Sequence, residues 1–430
     1  MSTFTDKNLR ILVANPLWPQ PHHLEAANVI LFELIRELAQ QPNVQVGYLK
    51  VSREGEPAIS NTGKEGLDAL RKVNVDIVEP LHLPQRRHST SVFRKIFLPR
   101  LRDVYPDTIY RPLIEKAVMS YQPDVLIVPA SEWLTALCAD IPVVKFAYYG
   151  NPDPKSLRAM AKFDFDKGMS SPLRYIAKKV FANHLEHFHI IEMKKYEILG
   201  DLAANDAEYY VKKGHANAFY INNVWIDRYP SWRTLRKSRG AKDLVKIVGN
   251  IGRLSATANT HGLEILGRDV LPALEQTMKG YPYEVHLFGR GELHPALVKY
   301  FKRPEVRIRG FVDDIDGELL SSDIFLCMNN ASAYKVGHTR YLHAWSLGCC
   351  VVAHADAALS MPEIIHGENA LLGKTPVEIA NLIKMAIEDP ILRNKISEGG
   401  YKTFKQYFTA ANVATKVIGA INAYRQIYVR

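Results

Sequence analysis

The sequence predicts an α/β protein of two doubly wound domains, each a parallel sheet flanked by helices and facing the other across a cleft. Three observations lead there. In the first 150 residues, short apolar runs suited to buried strands alternate with stretches of helical period. The same alternation restarts near residue 245. Between the two, residues 221–243 (INNVWIDRYPSWRTLRKSRGAKD) interrupt the pattern with proline, glycine and charge. With 430 residues and 47% apolar content, the chain has material for two cores.

Residues 11–16 read as the first strand. Residues 24–40 follow as a helix, with Leu31, Leu34, Ile35 and Leu38 on one side. Strands are expected at 44–51, 75–78, 124–128 and 142–147. Ligands of such sheets bind beyond the carboxyl ends of the strands, so loops 18–23 and 148–154 should face the cleft. Residues 172–198 look helical and carry His184, His187 and His189; no carboxylate-rich second cluster accompanies them, so no metal site is expected.

In the second half, 245–248 is a strand leading into a turn with Gly249, Gly252 and Arg253. A helix at 263–278 carries Leu263, Leu266, Val270 and Leu274 at helical spacing. Strand 285–288 runs into Gly289-Arg290-Gly291, strand 306–312 into Asp313-Asp314, and 324–328 is the next strand. Residues 334–354 (YKVGHTRYLHAWSLGCCVVAH) follow. Thr339 reads as the N-cap of a helix closed by Gly348, with a buried strand at 349–353. The free N–H groups and positive dipole end of such a helix favour a phosphate, and Gly337 lets backbone approach closely. Thr339, Arg340 and His343 share one face, which suggests a nucleotide diphosphate; an ordinary buried helix with a satisfied histidine is the alternative.

Four cysteines without a CxxC pair suit a reducing compartment and argue against structural zinc or a disulfide framework. The N-terminus lacks a signal pattern and no apolar run has membrane-spanning length, which points to the cytoplasm. A formal charge of +10 calls for an anionic partner: nucleic acid, anionic lipid or a phosphorylated substrate. Arg86, Arg87, Arg94, Lys95, Arg100, Arg102 and Arg111 interleave with apolar residues in one segment that could lie on the inner face of a membrane, or pack as a solvated face of its own domain. No single-strand stacking platform or helix-turn-helix pattern accompanies the charge, so nucleic acid is not expected.

The succession NIGRL, HGLEIL, VHLFGRGE, VRIRGFVDDIDGELLSSDIFL, GHTRYLHAWSLGCCVVAH and MPEIIHGENALL resembles, in order and spacing, the donor-binding domain of GT-B glycosyltransferases. It is most similar to the large retaining group that includes bacterial mannosyl- and glucosyltransferases. The resemblance implies an acceptor-binding domain over 1–222, a linker over 223–243, a nucleotide-sugar domain over 244–408, and a terminal helix over 409–430 crossing back to the first domain. By position, Arg253 matches the arginine that holds the donor diphosphate, a role suited to a forked guanidinium. Val312 matches a backbone position that meets the nucleobase. Gly337 lies beneath the diphosphate, and Thr339 and Arg340 resemble residues found there in some members. The chain also departs from the pattern. Lys335 and His343 stand where the family usually has two glutamates, for the sugar and the ribose, and His261 replaces a lysine beside the diphosphate. His343 could still accept a ribose hydrogen bond, and Lys335 could pair with an acidic sugar.

The implied reaction transfers a sugar from a UDP- or GDP-linked donor to a hydroxyl of a glycan or lipid-linked acceptor. Arg253, Arg340 and the helix N-terminus would stabilise the leaving diphosphate, with no cofactor or metal. The acids at 164–166 and 313–316 read as solvated loop residues. An inverting enzyme would need a base, for which Asp153, His22 and His23 are candidates by loop position. A non-catalytic sugar-nucleotide or glycan-binding protein on the same fold is the alternative, favoured by the replaced glutamates.

Overall fold

The computed structural model describes residues 8–21, 26–53, 61–84, 99–150, 152–236, 244–331, 334–335 and 339–428. Contacts divide the chain into two compact units. One comprises Met1–Leu202, Asp206–Val224 and Ala410–Arg430; the other comprises Ala203–Asn205 and Trp225–Thr409.

The first unit is built on β1 (Leu9–Asn15), β2 (Val44–Arg53), β3 (Asp76–Ile77), β4 (Leu81–Leu83), β5 (Val125–Pro129), β6 (Val144–Tyr149), β7 (Ile198–Asp201) and β8 (Ala218–Tyr220). Their order is β3-β2-β1-β5-β6-β7-β8, with β4 pairing to β2, and each pairing is parallel. Core clusters lie on both faces, and the central strand β5, VLIVP, is an unbroken apolar run buried throughout. Along β1, Ile11 and Val13 enter one core cluster while Leu12 and Ala14 enter the opposite one, as the two-residue period of a strand requires.

The helix expected over 24–40 is Ala26–Ala39, with Leu31, Leu34, Ile35 and Leu38 buried. The C-terminal helix Ala410–Tyr428 belongs to this same unit. Its Val413, Ala414, Val417 and Ile421 share a core cluster with Ile35 and Leu38. His189 is a buried residue of the long helix Pro172–Met193. Arg111, which the sequence groups with the basic segment, is held inside by Asp140, Glu192 and the Ala136 carbonyl. It is therefore a structural cation and not part of a lipid-facing surface. Arg100 and Arg102 are exposed, and Arg86, Arg87, Arg94 and Lys95 lie outside the described residues.

The second unit contains β9 (Val245–Asn250), β10 (Tyr283–Phe288), β11 (Val306–Gly310), β12 (Ile324–Cys327), β13 (Cys350–His354) and β14 (Leu371–Gly373). The order β11-β10-β9-β12-β13-β14, all parallel, is that of a dinucleotide-binding sheet, with its switch point between β9 and β12. The helix expected over 263–278 is observed in three parts: Thr257–Ile265, a π turn Leu266–Val270, and Leu271–Thr277. Within the stretch read as linker, Trp225–Arg236 is packed against this unit. The Trp225 N–H donates to the Phe408 carbonyl at 2.9 Å, and Arg236 donates to the carbonyls of Leu319 at 3.3 Å and Leu347 at 3.1 Å. Gly348 closes the helix Thr339–Ser346 with a φ of 61°, and a Cβ there would stand 2.2 Å from the Trp232 ring. Only glycine meets both demands.

Candidate active site

The loops after β9, β10, β11, β12 and β13 meet at the carboxyl edge of the second sheet, where the sequence places most of its candidate residues. Their spacing is set by backbone contact. Gly289, with a φ of 147°, comes so close to Gly252 that a Cβ would lie 1.8 Å from the Gly252 carbonyl oxygen. The Gly289 N–H donates to the Gly310 carbonyl at 2.8 Å, and the Leu254 N–H to the Arg290 carbonyl at 3.0 Å. Asparagines then lace the edge together. Asn250 Nδ2 donates to the Phe288 carbonyl at 3.0 Å, Asn329 Nδ2 to Asn259 Oδ1 at 2.8 Å, and Asn259 Nδ2 to the Arg253 carbonyl at 2.6 Å. Buried amides bonded on this pattern hold a loop's backbone without placing charge in it.

Arg340, in the first turn of the helix Thr339–Ser346, donates through Nε to the Ile251 carbonyl at 2.8 Å. Its guanidinium comes so close to Gly252 that a Cβ there would lie 3.5 Å from Nη2. Burial draws this guanidinium below the usual arginine range. Arg253 is one residue further along the same loop and exposed, and Thr339 is half-buried at the helix start. The structure thus brings Arg253, Arg340 and a helix N-terminus to one glycine-lined edge, an arrangement suited to an anion.

Two expected ligand contacts are committed elsewhere. His343 Nε2 meets Asp316 Oδ1 at 2.5 Å, and its ring lies 4.9 Å from that of Trp225. Asp316 is therefore not the solvated loop acid that the sequence suggests. Burial works to raise its pKa, but the hydrogen bond and charge of His343, with Arg228 behind them, hold the carboxyl below its ordinary value. Lys335 forms an ion pair with Asp356, so its charge is matched within the protein and an acidic sugar is not needed to balance it. His261 is half-buried with its ring 6.0 Å from Tyr334. Val312 is half-buried beside Phe311, whose exposed ring lies 4.4 Å from the Arg290 guanidinium. Gly337, His22 and His23 lie outside the described residues.

Comparison with known proteins places one region of the chain in a family. Residues 245–389 match the model of the family described as glycosyl transferases group 1. That region is a group 1 glycosyltransferase domain, and the chain has the GT-B fold. No curated protein matches. Among solved structures, HepE of Anabaena in complex with UDP and glucose is similar at 15% identity, over 96% of this chain and 100% of that chain, with a TM-score of 0.61. A glycosyltransferase from Rickettsia africae is similar at 13% identity, over 98% and 99%, with a TM-score of 0.59. Sucrose-phosphate synthase of Thermosynechococcus elongatus is similar at 13% identity, over 98% and 99%, with a TM-score of 0.60. At these identities the likeness concerns the fold.

Asp153 belongs to the first unit, at the start of the helix Asp153–Asp166. Desolvation and the facing Glu132 push its carboxyl up to about 8, well above an ordinary loop carboxylate. Sequence reading missed Asn259, Asn329, Asp316, Asp356 and Glu132. An Asn329-Asn330 pair directly after a buried strand was a usable signal; the acids carried none, because their partners are distant in sequence.

Proposed function

We propose that this nucleotide-sugar-dependent glycosyltransferase transfers a glycosyl group from a nucleoside-diphosphate sugar to an acceptor hydroxyl, with the donor diphosphate held in the second unit by Arg253, Arg340 and the start of the helix Thr339–Ser346. The observation that carries this reading is the convergence of those three positive groups on the glycine-lined edge of β9 and β10. Negative charge grows on the diphosphate as the sugar–oxygen bond breaks, and preorganised donors at that place lower the barrier. UDP is the first base to test, because the similar HepE structure contains it. GDP is the second. The acceptor class proposed is a glycan or lipid-linked hydroxyl in bacterial glycan or polysaccharide synthesis. His22, His23 and Asp153 remain the candidates for a base should the enzyme invert.

Thermal unfolding against UDP-, GDP-, ADP- and CMP-sugars tests the donor site. A ligand at roughly 100 times its Kd should stabilise the native state by about 2.7 kcal/mol. The shift should shrink in Arg253→Ala, through an affinity at least about tenfold weaker. If no nucleotide shifts wild type, the donor assignment is lost. A nucleotide sugar that binds but is neither hydrolysed nor transferred would instead favour a binding protein, the reading that the internal pairing of Lys335 and His343 supports.

Among the described residues no helix is long and apolar enough to cross a membrane. We propose that a lipid-linked acceptor is met at an anionic surface, with exposed Arg100 and Arg102 and the net charge of +10 as support. The double variant Arg100→Glu/Arg102→Glu should sediment less with phosphatidylglycerol vesicles than wild type does. Equal sedimentation would reject these two residues as the contact.

A further inference from the structure

The first unit buries a connected set of titratable groups that the donor site does not use. β5 and β6 are neighbours, with Pro129 opposite Tyr148, and each is followed by a helix that opens on an acid. Glu132 begins Glu132–Cys138, and Asp153 begins Asp153–Asp166. Both acids therefore stand beyond the carboxyl ends of adjacent strands, where ligands of such sheets bind.

Glu132 is the buried member, at 7% exposure. Its Oε1 accepts from the Tyr105 hydroxyl at 2.9 Å and lies 3.0 Å from His189 Nδ1. His189 Nε2 lies 2.7 Å from the Tyr210 hydroxyl. Burial keeps the imidazole neutral, with its pKa down at about 4. The network then assigns the ring proton to Nδ1, facing Glu132, and leaves Nε2 to accept from Tyr210. The second oxygen, Oε2, is buried without a partner in full bonding geometry among the described residues, and Asp153 approaches the carboxyl with both its backbone N–H and its side chain. The hydroxyl of Ser131, also buried, is likewise without a partner there. Polar atoms so placed cost stability and call for a function.

Asp153 faces Glu132 from the exposed side. The cations nearest to it along its helix are engaged elsewhere, Lys155 with Asp206 and Arg158 with Glu186. Around the pair, Tyr149 comes from β6, and Glu192 comes from the helix of His189 with Arg111 and Lys195 as its partners. A buried carboxyl with a second carboxyl facing it is stabilised by a proton between the two.

We infer that Glu132 and Asp153 form a proton-sharing carboxyl pair that binds the acceptor hydroxyl, Asp153 touching it and Glu132 acting as the positioning residue. This rests on the glycosyltransferase reading above. Protonated Asp153 donates to Glu132 Oε2, and its other oxygen accepts from the acceptor hydroxyl. When Asp153 ionises, the two carboxylates repel and the subsite opens. The pair therefore works below pH about 8 and fails above it.

Donor hydrolysis tests this, with water standing in for the acceptor and with the nucleotide sugar selected by the unfolding panel. Asp153→Ala should hydrolyse at least about tenfold slower than wild type while keeping the donor-induced shift. Asp153→Asn should recover part of that loss, since its amide donates to Glu132 and accepts from the hydroxyl. It should also lose the alkaline fall. Glu132→Gln should lose that fall as well. Wild-type rate and pH profile in Asp153→Ala would overturn the inference. So would Asp153→Asn as inactive as Asp153→Ala, which would make Asp153 the proton acceptor.

A donor-free readout separates this failure from that of the donor site. The folded pKa of Asp153 lies above its unfolded value, so its contribution to stability is full below pH 4 and is lost as pH rises through about 8. Wild type should lose melting temperature across that window relative to Asp153→Asn. Coincident curves would overturn the pair even where donor binding is intact. If the pair titrates but no nucleotide sugar binds, the transferase reading falls and the acceptor role falls with it.

Discussion

Arg340→Ala is expected to lower sugar transfer by at least about a hundredfold and to abolish the thermal shift given by the donor nucleotide. Two effects add. The guanidinium supplies charge beside Gly252, at the place proposed for the diphosphate, and its Nε satisfies the Ile251 carbonyl at 2.8 Å. Alanine removes both, leaving the end of β9 with an acceptor whose donor is gone, at a cost of about 1–3 kcal/mol. Arg340→Lys should keep part of the charge effect but not the fork, so its loss should fall between wild type and alanine. Calorimetric titration with UDP and GDP reads the binding term, and kcat reads the rest. Nucleotide affinity unchanged in Arg340→Ala would remove Arg340 from the donor site.

Gly289→Ala should be the most disruptive single-methyl change in the second unit. The added Cβ would lie 1.8 Å from a backbone oxygen of Gly252, and no side-chain rotation relieves a contact with backbone. The loop carrying Gly252 and Arg253 must move, and the φ of 147° at Gly289 is itself hostile to alanine. A loss of about 4 kcal/mol or more is expected, with donor binding lost as well. Gly280 is the control. It also has a positive φ, 87°, but an added Cβ meets nothing within 4 Å, so Gly280→Ala should cost only about 1 kcal/mol. Differential scanning calorimetry of the two variants decides. Similar melting temperatures would mean that the loop around Gly252 relaxes easily and does not depend on the close approach of glycine.

Much of the donor edge was legible in the sequence. The strand endings before Gly252 and Gly289 were marked by apolar runs that give way to glycine, and the helix opened by Thr339 was marked by its cap and its closing Gly348. Arg253 and Arg340 could be placed because they sit next to those punctuation points. What was not legible was which polar group pairs with which. Lys335 and His343 suggest ligand contacts when read along the chain, yet each has a carboxylate waiting, Asp356 and Asp316. The acid pair in the first unit was half visible. Asp153 stood out by its loop, while Glu132 looked like an ordinary first-turn residue of a short helix.

By itself, the sequence determined the parallel α/β character of both units, the positions of their loops, and the glycines that permit close backbone approach. These depend on residues two to four apart, whose spacing decides whether a face is apolar and where a chain can turn. The tertiary structure alone decided that His343 meets Asp316, that Lys335 meets Asp356, and that Glu132 meets Asp153. Each pair spans about twenty residues or more. It forms because strand order and register bring two loop ends to the same edge of a sheet, a geometry that no local pattern encodes.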